Sequence, residues 1–143
     1  MKSVFSRVLA LPVVYTFISL ACIVQVQADA TTMIASHYGP GFNGRKTASG
    51  VIFNTSNPHM AASRTLPFGT KLNLCELSST GKCKCEWVII VDRGPYVYTR
   101  QLDISTAAAI NLGFQGVKKL LVTQAGHVPN YKALFGFRIA SQR

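Results

Sequence analysis

The stretch Trp87-Val88-Ile89-Ile90-Val91-Asp92-Arg93-Gly94-Pro95-Tyr96 decides the fold of this chain. Its apolar run, rich in β-branched residues, predicts a strand buried on both faces. Asp92 and Arg93 leave that strand where Gly94 and Pro95 break the regular backbone. The predicted core strand therefore delivers an acidic side chain to the rim of the fold.

Acidic residues are scarce in the sequence. Among its 143 residues, 5 are acidic and 15 are lysine or arginine, for a formal net charge of +10. Asp29 falls in the predicted signal peptide, so chemistry by a carboxylate must draw on the other four acids, Glu76, Glu86, Asp92 and Asp103. The positive charge favours an anionic partner such as a wall polymer or a lipid surface. Because the basic residues are dispersed and form no nucleic-acid-binding motif, we expect no nucleic-acid partner.

Residues 1–30 have the pattern of a secretory signal peptide. Lys2 and Arg7 precede the apolar run from Val8 to Val24. Ala28-Asp29-Ala30 supplies a cleavage site of the small-x-small type, and Val26-Gln27-Ala28 is a competing site. The sequence therefore predicts an exported protein that is periplasmic or secreted.

The remaining domain, residues 31–143, keeps 13 basic and 4 acidic residues. We expect it to be monomeric. Two alternatives to release by cleavage stay open. One is an uncleaved membrane anchor, and the other is a lipid anchor at Cys22, because Leu20-Ala21-Cys22 resembles the end of a bacterial lipobox.

Three cysteines follow the signal peptide, namely Cys75, Cys83 and Cys85. In an oxidising compartment one pair should form a disulfide. Residues 71–91 read as a hairpin that turns at residues 79–81, which places residue 75 opposite residue 85. We therefore predict a Cys75–Cys85 disulfide and a free thiol at Cys83. A metal site is the alternative, but no fourth ligand accompanies the trio, so we predict no metal and no cofactor.

The rest of the chain reads as short strands between glycine-rich turns, with one helix. Ser105 can cap a helix from Thr106 to Leu112, and Gly113 can end it in a left-handed conformation. A β-like run at residues 134–139 is a candidate to close the sheet. This pattern predicts an all-β barrel in one domain.

Five blocks of the sequence, in the same order and with matching gaps, resemble the rare lipoprotein A (RlpA) family. They are Ala35 to Phe42, Thr47 to Gly50, Ala61 to Thr70, Asp92 to Tyr96, and Leu102 to Ser105 with Ala107 to Ala109. The resemblance covers about residues 35–124. It implies a six-stranded double-psi β-barrel with one short helix, and a lyase activity: endolytic lytic transglycosylation of peptide-stripped glycan strands in bacterial peptidoglycan.

Three positions depart from the family pattern. Val51 stands where the family has a glutamate, Asn54 where it has an aspartate, and Ser63 where it has a histidine. The aspartate of the family's groove is kept as Asp92. A second interpretation is therefore a non-catalytic, expansin-like barrel that binds the cell wall.

Asp92 is the predicted catalytic residue. Lytic transglycosylation needs a general acid that afterwards takes a proton from a hydroxyl of the sugar itself, and one carboxyl group can do both. Hydrolysis normally requires two carboxyl groups. The alternative is that Asp92 and Arg93 form an ion pair that fixes the turn. We expect Asp103 to accept hydrogen bonds from backbone amides near the helix start.

The other candidates are predicted to bind substrate. They are Tyr38, Phe42, Ser63, Thr65, Arg93 and Tyr96, with His59 as a further candidate in place of the missing histidine. The aromatic rings offer stacking surface for sugars, although Tyr38 and Phe42 can instead cover the barrel core. His59 can equally be an exposed loop residue.

Overall fold

The structure is a computed structural model that describes residues 29–77 and 83–136. The predicted signal peptide up to residue 28, Cys22 and the predicted turn at residues 79–81 lie outside these ranges. Within them, no helix is long and apolar enough to cross a membrane.

The described residues form six strands and two short helices. In chain order these are β1 (Thr31–His37), β2 (Met60–Ser63), β3 (Thr70–Leu77), β4 (Cys83–Asp92), β5 (Leu102–Ile104), α1 (Thr106–Leu112), β6 (Val117–His127) and α2 (Tyr131–Leu134). The strands close into a barrel in the order β1-β5-β2-β4-β3-β6. The pairs β1·β5 and β2·β4 are parallel and the other pairs are antiparallel. The predicted six-stranded double-psi barrel is confirmed.

In the barrel, β5 lies between β1 and β2. The connection between β1 and β2, residues 38–59, therefore has to cross from one side of β5 to the other. We call it the crossing segment. It is joined to β4 at two points: Ser49 N–H donates to the Val91 carbonyl at 3.2 Å, and the His59 carbonyl accepts from Ile89 N–H at 2.9 Å. The crossing segment therefore covers the outer face of β4.

The strand β4 is buried on both faces. Val88 and Ile90 pack in the barrel interior, whereas Ile89 and Val91 belong to a second apolar cluster. That outer cluster includes Val51 and Phe53 of the crossing segment, together with Tyr38, Ala62 and Tyr131. Each fully buried Val or Ile side chain contributes about 1.5–3 kcal/mol. Burial on both sides explains the unbroken apolar run in the sequence.

The helix α1 begins and ends as predicted. The Ser105 side chain accepts a hydrogen bond from Ala108 N–H, and Gly113 ends the helix with φ 83°. The Gly113 N–H donates to the carbonyl oxygens of Ala109 and Ile110. These bonds satisfy backbone groups that a helix end leaves unpaired.

The hairpin of β3 and β4 has the predicted register, with Cys75 opposite Cys85. The two residues form a disulfide, and Cys83 is an exposed free thiol. Both cysteine predictions are confirmed.

The expected strand at residues 134–139 is wrong over the part that the structure describes. Leu134 ends the single-turn helix α2, Phe135 and Gly136 form a turn, and residues 137–139 lie outside the described residues. The barrel is closed by β6 instead, which pairs with both β1 and β3. A closed barrel leaves no edge for a further strand to join.

We predict that Gly69→Ala destabilises the fold by about 2–4 kcal/mol, whereas Gly116→Ala costs about 1–2 kcal/mol. Both glycines have positive φ. At Gly69 a Cβ would also lie 2.8 Å from the Val128 carbonyl oxygen and 2.9 Å from Tyr131 Cδ1, whereas at Gly116 no atom lies within 4 Å. Urea denaturation of both variants measures the difference, and equal losses would contradict the predicted clash.

Candidate functional site

The Asp92 carboxylate is held by three donors. Its Oδ2 accepts from the Tyr38 hydroxyl at 3.0 Å. Its Oδ1 accepts from the backbone N–H groups of Ala48 and Arg93, both at 2.8 Å. These donors belong to the beginning and middle of the crossing segment and to the turn after β4. Since a carboxylate offers about four acceptor positions, roughly one remains for a ligand.

Tyr38 positions Asp92 from a buried site. Its side chain is 7% exposed, and its ring centroid lies 4.1 Å from that of Phe53. Burial, reinforced by the neighbouring Asp92 carboxylate, raises the pKa of the Tyr38 hydroxyl above its ordinary value. Tyr38 is therefore a neutral donor at physiological pH. The ring packs in the outer cluster, as the alternative interpretation expected, and is not open for sugar stacking.

A β-bulge directs Asp92 out of the barrel. The pairing of β2 with β4 shifts by one residue, so that Ala61 pairs with Ile90 but Ala62 pairs with Asp92. Without that extra residue, strict alternation after Ile90 and Val91 would turn Asp92 towards the barrel interior. The bulge instead places Asp92 beside Ala62 on the outer face.

Asp103 reaches the same face from the other side of β2. In the pairing of β2 with β5, Ala62 lies opposite Asp103. Asp92 and Asp103 therefore flank one residue, and two strand spacings separate their Cα atoms by about 9–10 Å. The small side chain of Ala62 leaves room for the Tyr38 ring in the same apolar cluster.

The expectation that Asp103 bonds backbone amides near the helix start is wrong. Its Oδ1 accepts from the Ser36 hydroxyl, because the parallel pairing of β1 with β5 sets these two residues opposite each other. Ser105 caps the helix instead. In the described part of the chain, Asp103 Oδ2 has no hydrogen-bond partner. The alternation of Asp103 with the buried residues Leu102 and Ile104 was the sequence signal for its outward direction.

These groups line a cleft of about 230 Å³, whose lining includes Tyr38, Phe42, Asp92, Tyr96, Arg100 and Asp103. Tyr96 is 76% exposed and Phe42 is 43% exposed, so both rings present surface to a ligand. A second cavity of about 480 Å³ shares residues 37–39 with this cleft and extends to Thr106 and Ile110. The two cavities therefore adjoin at residues 37–39.

Arg93 lines the cleft, but its guanidinium is engaged elsewhere. Nη1 donates to the carbonyl oxygens of Ser63 and Leu66, each at 3.0 Å. The guanidinium carbon lies 3.7 Å from the centroid of the Phe68 ring. Among the described residues no ion pair joins Arg93 to Asp92, so the alternative of an Asp92–Arg93 ion pair is wrong. The side chain holds the turn at residues 63–66 against the end of β4.

The structure places Ser63, Thr65 and His59 outside the Asp92 cleft. Ser63 is 3% exposed, and its hydroxyl lies 3.4 Å and 3.3 Å from the N–H groups of Thr65 and Leu66. Ser63 and Thr65 line a separate cavity of about 220 Å³. The His59 ring stacks on Trp87 with centroids 3.6 Å apart.

The other two departures from the family pattern have local structural roles. Val51 is fully buried in the outer cluster. Asn54 Oδ1 accepts from Ser56 N–H at 2.9 Å. In the described residues, no group of three or more His, Cys, Asp or Glu side chains could hold a metal ion.

Comparisons with known proteins point to one family. Residues 30–130 match the protein family described as "Lytic transglycolase". A Treponema pallidum protein named "Probable endolytic peptidoglycan transglycosylase RlpA" is 46% identical over 93 residues, which cover 64% of this chain and 28% of that protein. An Aquifex aeolicus protein of the same name is 53% identical over 79 residues, which cover 55% of this chain and 33% of that protein. The matches thus span no more than about a third of these relatives.

Among solved structures, the Streptomyces papain inhibitor (SPI) superposes with a TM-score of 0.49 and 20% sequence identity. The superposition covers 66% of this chain and 93% of the inhibitor.

We predict that Arg93→Gln lowers the free energy of unfolding by about 2–3 kcal/mol, because the guanidinium bonds two carbonyl groups and stacks on Phe68. Arg45→Gln is the matched control, since the Arg45 side chain is exposed and, among the described residues, contacts the Phe42 ring alone, at 5.4 Å. It should cost less than about 0.5 kcal/mol. Urea denaturation measures both variants. An Arg93→Gln protein of unchanged stability that no longer binds its ligand would show instead that Arg93 is a binding residue.

We predict that Tyr38→Phe flattens the alkaline loss of stability. Because the folded-state pKa of Tyr38 is raised, the unfolded chain ionises first, and the free energy of unfolding falls as pH rises above about 10. This contribution is at most about 1.4 kcal/mol per pH unit. Urea denaturation between about pH 9 and 11 should show a shallower fall in Tyr38→Phe, and no such change in the exposed control Tyr98→Phe. Parallel slopes for Tyr38→Phe and wild type would contradict the assignment.

Proposed function

The chain belongs to the RlpA-like lytic transglycolase family, and from this we propose that it is an endolytic peptidoglycan transglycosylase, a lyase that cuts peptide-free glycan strands of the bacterial cell wall. The observation that carries the proposal is the placement of Asp92 and Asp103 on either side of Ala62 in one cleft. The activity is proposed for this domain, which spans a third or less of the relatives named above.

Asp103 is the better proton carrier of the two acids. Its Oδ2 has no partner in the described residues, so a proton there displaces no existing hydrogen bond. Asp92 already accepts three hydrogen bonds, and a proton on its Oδ1 would face two N–H donors. We therefore assign the acid and base steps to Asp103. Asp92 acts as the fixed negative charge beside the reacting carbon.

The reaction proceeds by proton transfer and ring closure. Protonated Asp103 gives its proton to the glycosidic oxygen as the bond from that oxygen to the anomeric carbon breaks. The anomeric carbon gains positive charge, which the Asp92 carboxylate stabilises at short range. The primary hydroxyl of the same sugar then bonds to that carbon and returns its proton to Asp103. The products are a shortened strand and an anhydro-ended strand, and no water is consumed.

Tyr38 helps to hold the Asp92 carboxylate in the orientation that this role requires. A neutral hydroxyl that donates to one carboxylate oxygen, together with two N–H donors on the other, fixes the direction of the negative charge before substrate arrives. Such preorganised groups lose no energy to reorientation during the reaction. Tyr38 is thus a positioning residue and not a sugar platform.

The substrate is proposed to run along the cleft and the adjoining cavity. The exposed rings of Tyr96 and Phe42 can stack on sugar rings at the cleft. The second cavity beyond residues 37–39 has room for further sugars of a long strand, which suits cleavage within the strand. The basic charge of the domain attracts the anionic wall. Export to the periplasm or the cell exterior would bring the protein to this substrate.

We predict that Asp103→Asn and Asp92→Asn each lower the cleavage rate on purified peptide-free glycan strands by at least about 100-fold. Mass spectrometry of the digests should detect anhydro-ended fragments with the wild-type protein. Glu76→Gln is the matched control, because Glu76 lies on β3 and pairs with Lys118, away from the cleft. It should cut at the wild-type rate.

Two outcomes would contradict the proposal. Products with reducing ends and no anhydro ring would mean that the protein hydrolyses the strand. If wild type and both variants sediment with the glycan but none releases fragments, the protein is a wall-binding barrel of the expansin type.

A further inference from the structure

We infer that Arg100 binds the free lactyl carboxylate of a peptide-free muramic acid residue, and that this contact selects stripped strands over peptide-bearing ones. This inference rests on the proposed function and names a specificity determinant in the same cleft. No motif in the sequence singles out Arg100, and only the fold brings it to the two acids.

Arg100 stands in the cleft on a firmly held backbone. It lines the cleft together with Asp92 and Asp103. Its N–H donates to the Val97 carbonyl at 3.0 Å, and its carbonyl accepts from Arg64 Nη2 at 3.3 Å. The next residue, Gln101, bonds to Ile34 through both its N–H and its side-chain oxygen. The Arg100 side chain therefore starts from a fixed point at the rim of the site.

The Arg100 guanidinium has no partner among the residues that the structure describes. In the described part of the chain it makes no hydrogen bond, ion pair or ring contact, although an arginine offers five N–H donors. The neighbouring arginines differ, since Arg93 bonds two carbonyl groups and Arg64 lies 5.3 Å from the Tyr98 ring centroid. Arg100 itself is only partly exposed. A half-buried cation beside two acids, unpaired among the described residues, is available for a ligand.

The charges of the cleft favour an anion at this position. The charged Asp92 carboxylate alone would repel a negatively charged sugar, so accepting one requires a cation close by. Muramic acid carries a lactyl group whose carboxyl is free only after the stem peptide has been removed. In a peptide-bearing strand the same carbon is an amide without charge. A guanidinium binds a carboxylate through two parallel charge-assisted hydrogen bonds, which a neutral amide does not offer.

The test compares two substrates made from one preparation of peptide-free strands. One keeps its lactyl carboxylates, and in the other they are converted to methylamides with carbodiimide and methylamine. We expect the wild-type protein to prefer the carboxylate strands by at least about 10-fold in kcat/KM. Arg100→Gln should lose that preference through a higher KM on carboxylate strands, with unchanged rates on methylamide strands. Arg100→Lys should keep part of the preference. Lys119→Gln removes an exposed charge on β6 and should behave as wild type.

Every other result either supports or overturns the inference about Arg100. If wild type cuts both strands equally well, Arg100 is no specificity determinant, while the proposed function stands. If Arg100→Gln slows both substrates alike, Arg100 acts in folding or catalysis and the inference fails. If wild type cuts neither strand, the proposed function fails, and sedimentation with the two strands tests Arg100 separately. Equal binding of both would overturn the inference, and a preference for carboxylate strands that Arg100→Gln removes would support it.

Discussion

The hydrogen bonding of the Asp92 carboxylate connects the parts of this structure that matter for function. Tyr38, Ala48 and Arg93 donate to it from two points of the crossing segment and from the turn after β4. A hydrogen bond to a charged group contributes about 1.5–3 kcal/mol. One side chain at the end of a core strand therefore fastens the segment that crosses the barrel wall. The same contacts give that side chain a defined direction in the cleft.

The barrel topology brings the second acid to the same place. Because β2 lies between β4 and β5, Ala62 has Asp92 on one side and Asp103 on the other. The β-bulge in β4 is needed for this arrangement, since it turns Asp92 away from the barrel interior. The Ser36 hydroxyl donates a hydrogen bond to Asp103 Oδ1, and Asp103 Oδ2 has no partner among the described residues. The two acids consequently differ in their surroundings, and this difference supports their separate roles in the proposed reaction.

Local patterns predicted a large part of the molecule. The register that pairs Cys75 with Cys85, the cap at Ser105 and the stop at Gly113 depend on near neighbours in the chain, and all three are observed. The direction of Arg93, the role of Asp103 and the position of Arg100 depend on parallel pairings between distant strands and on a bulge. No pattern among neighbouring residues in the sequence is strong enough to predict those features. Tyr38 shows the same limit, because its burial in the outer cluster against Phe53 decides whether an aromatic ring stacks on sugar or holds an acid.

The Asp92–Asp103 cleft is, in the proposed reaction, the place where the glycan strand is bound and cut. A crystal structure of the Asp103→Asn variant with a peptide-free muramic-acid-containing tetrasaccharide tests this most directly. We expect a glycosidic oxygen within hydrogen-bond distance of the substituted side chain at position 103 and a sugar ring against Tyr96. A saccharide bound elsewhere with the cleft empty, for example beside Trp87 on the outer wall, would contradict it.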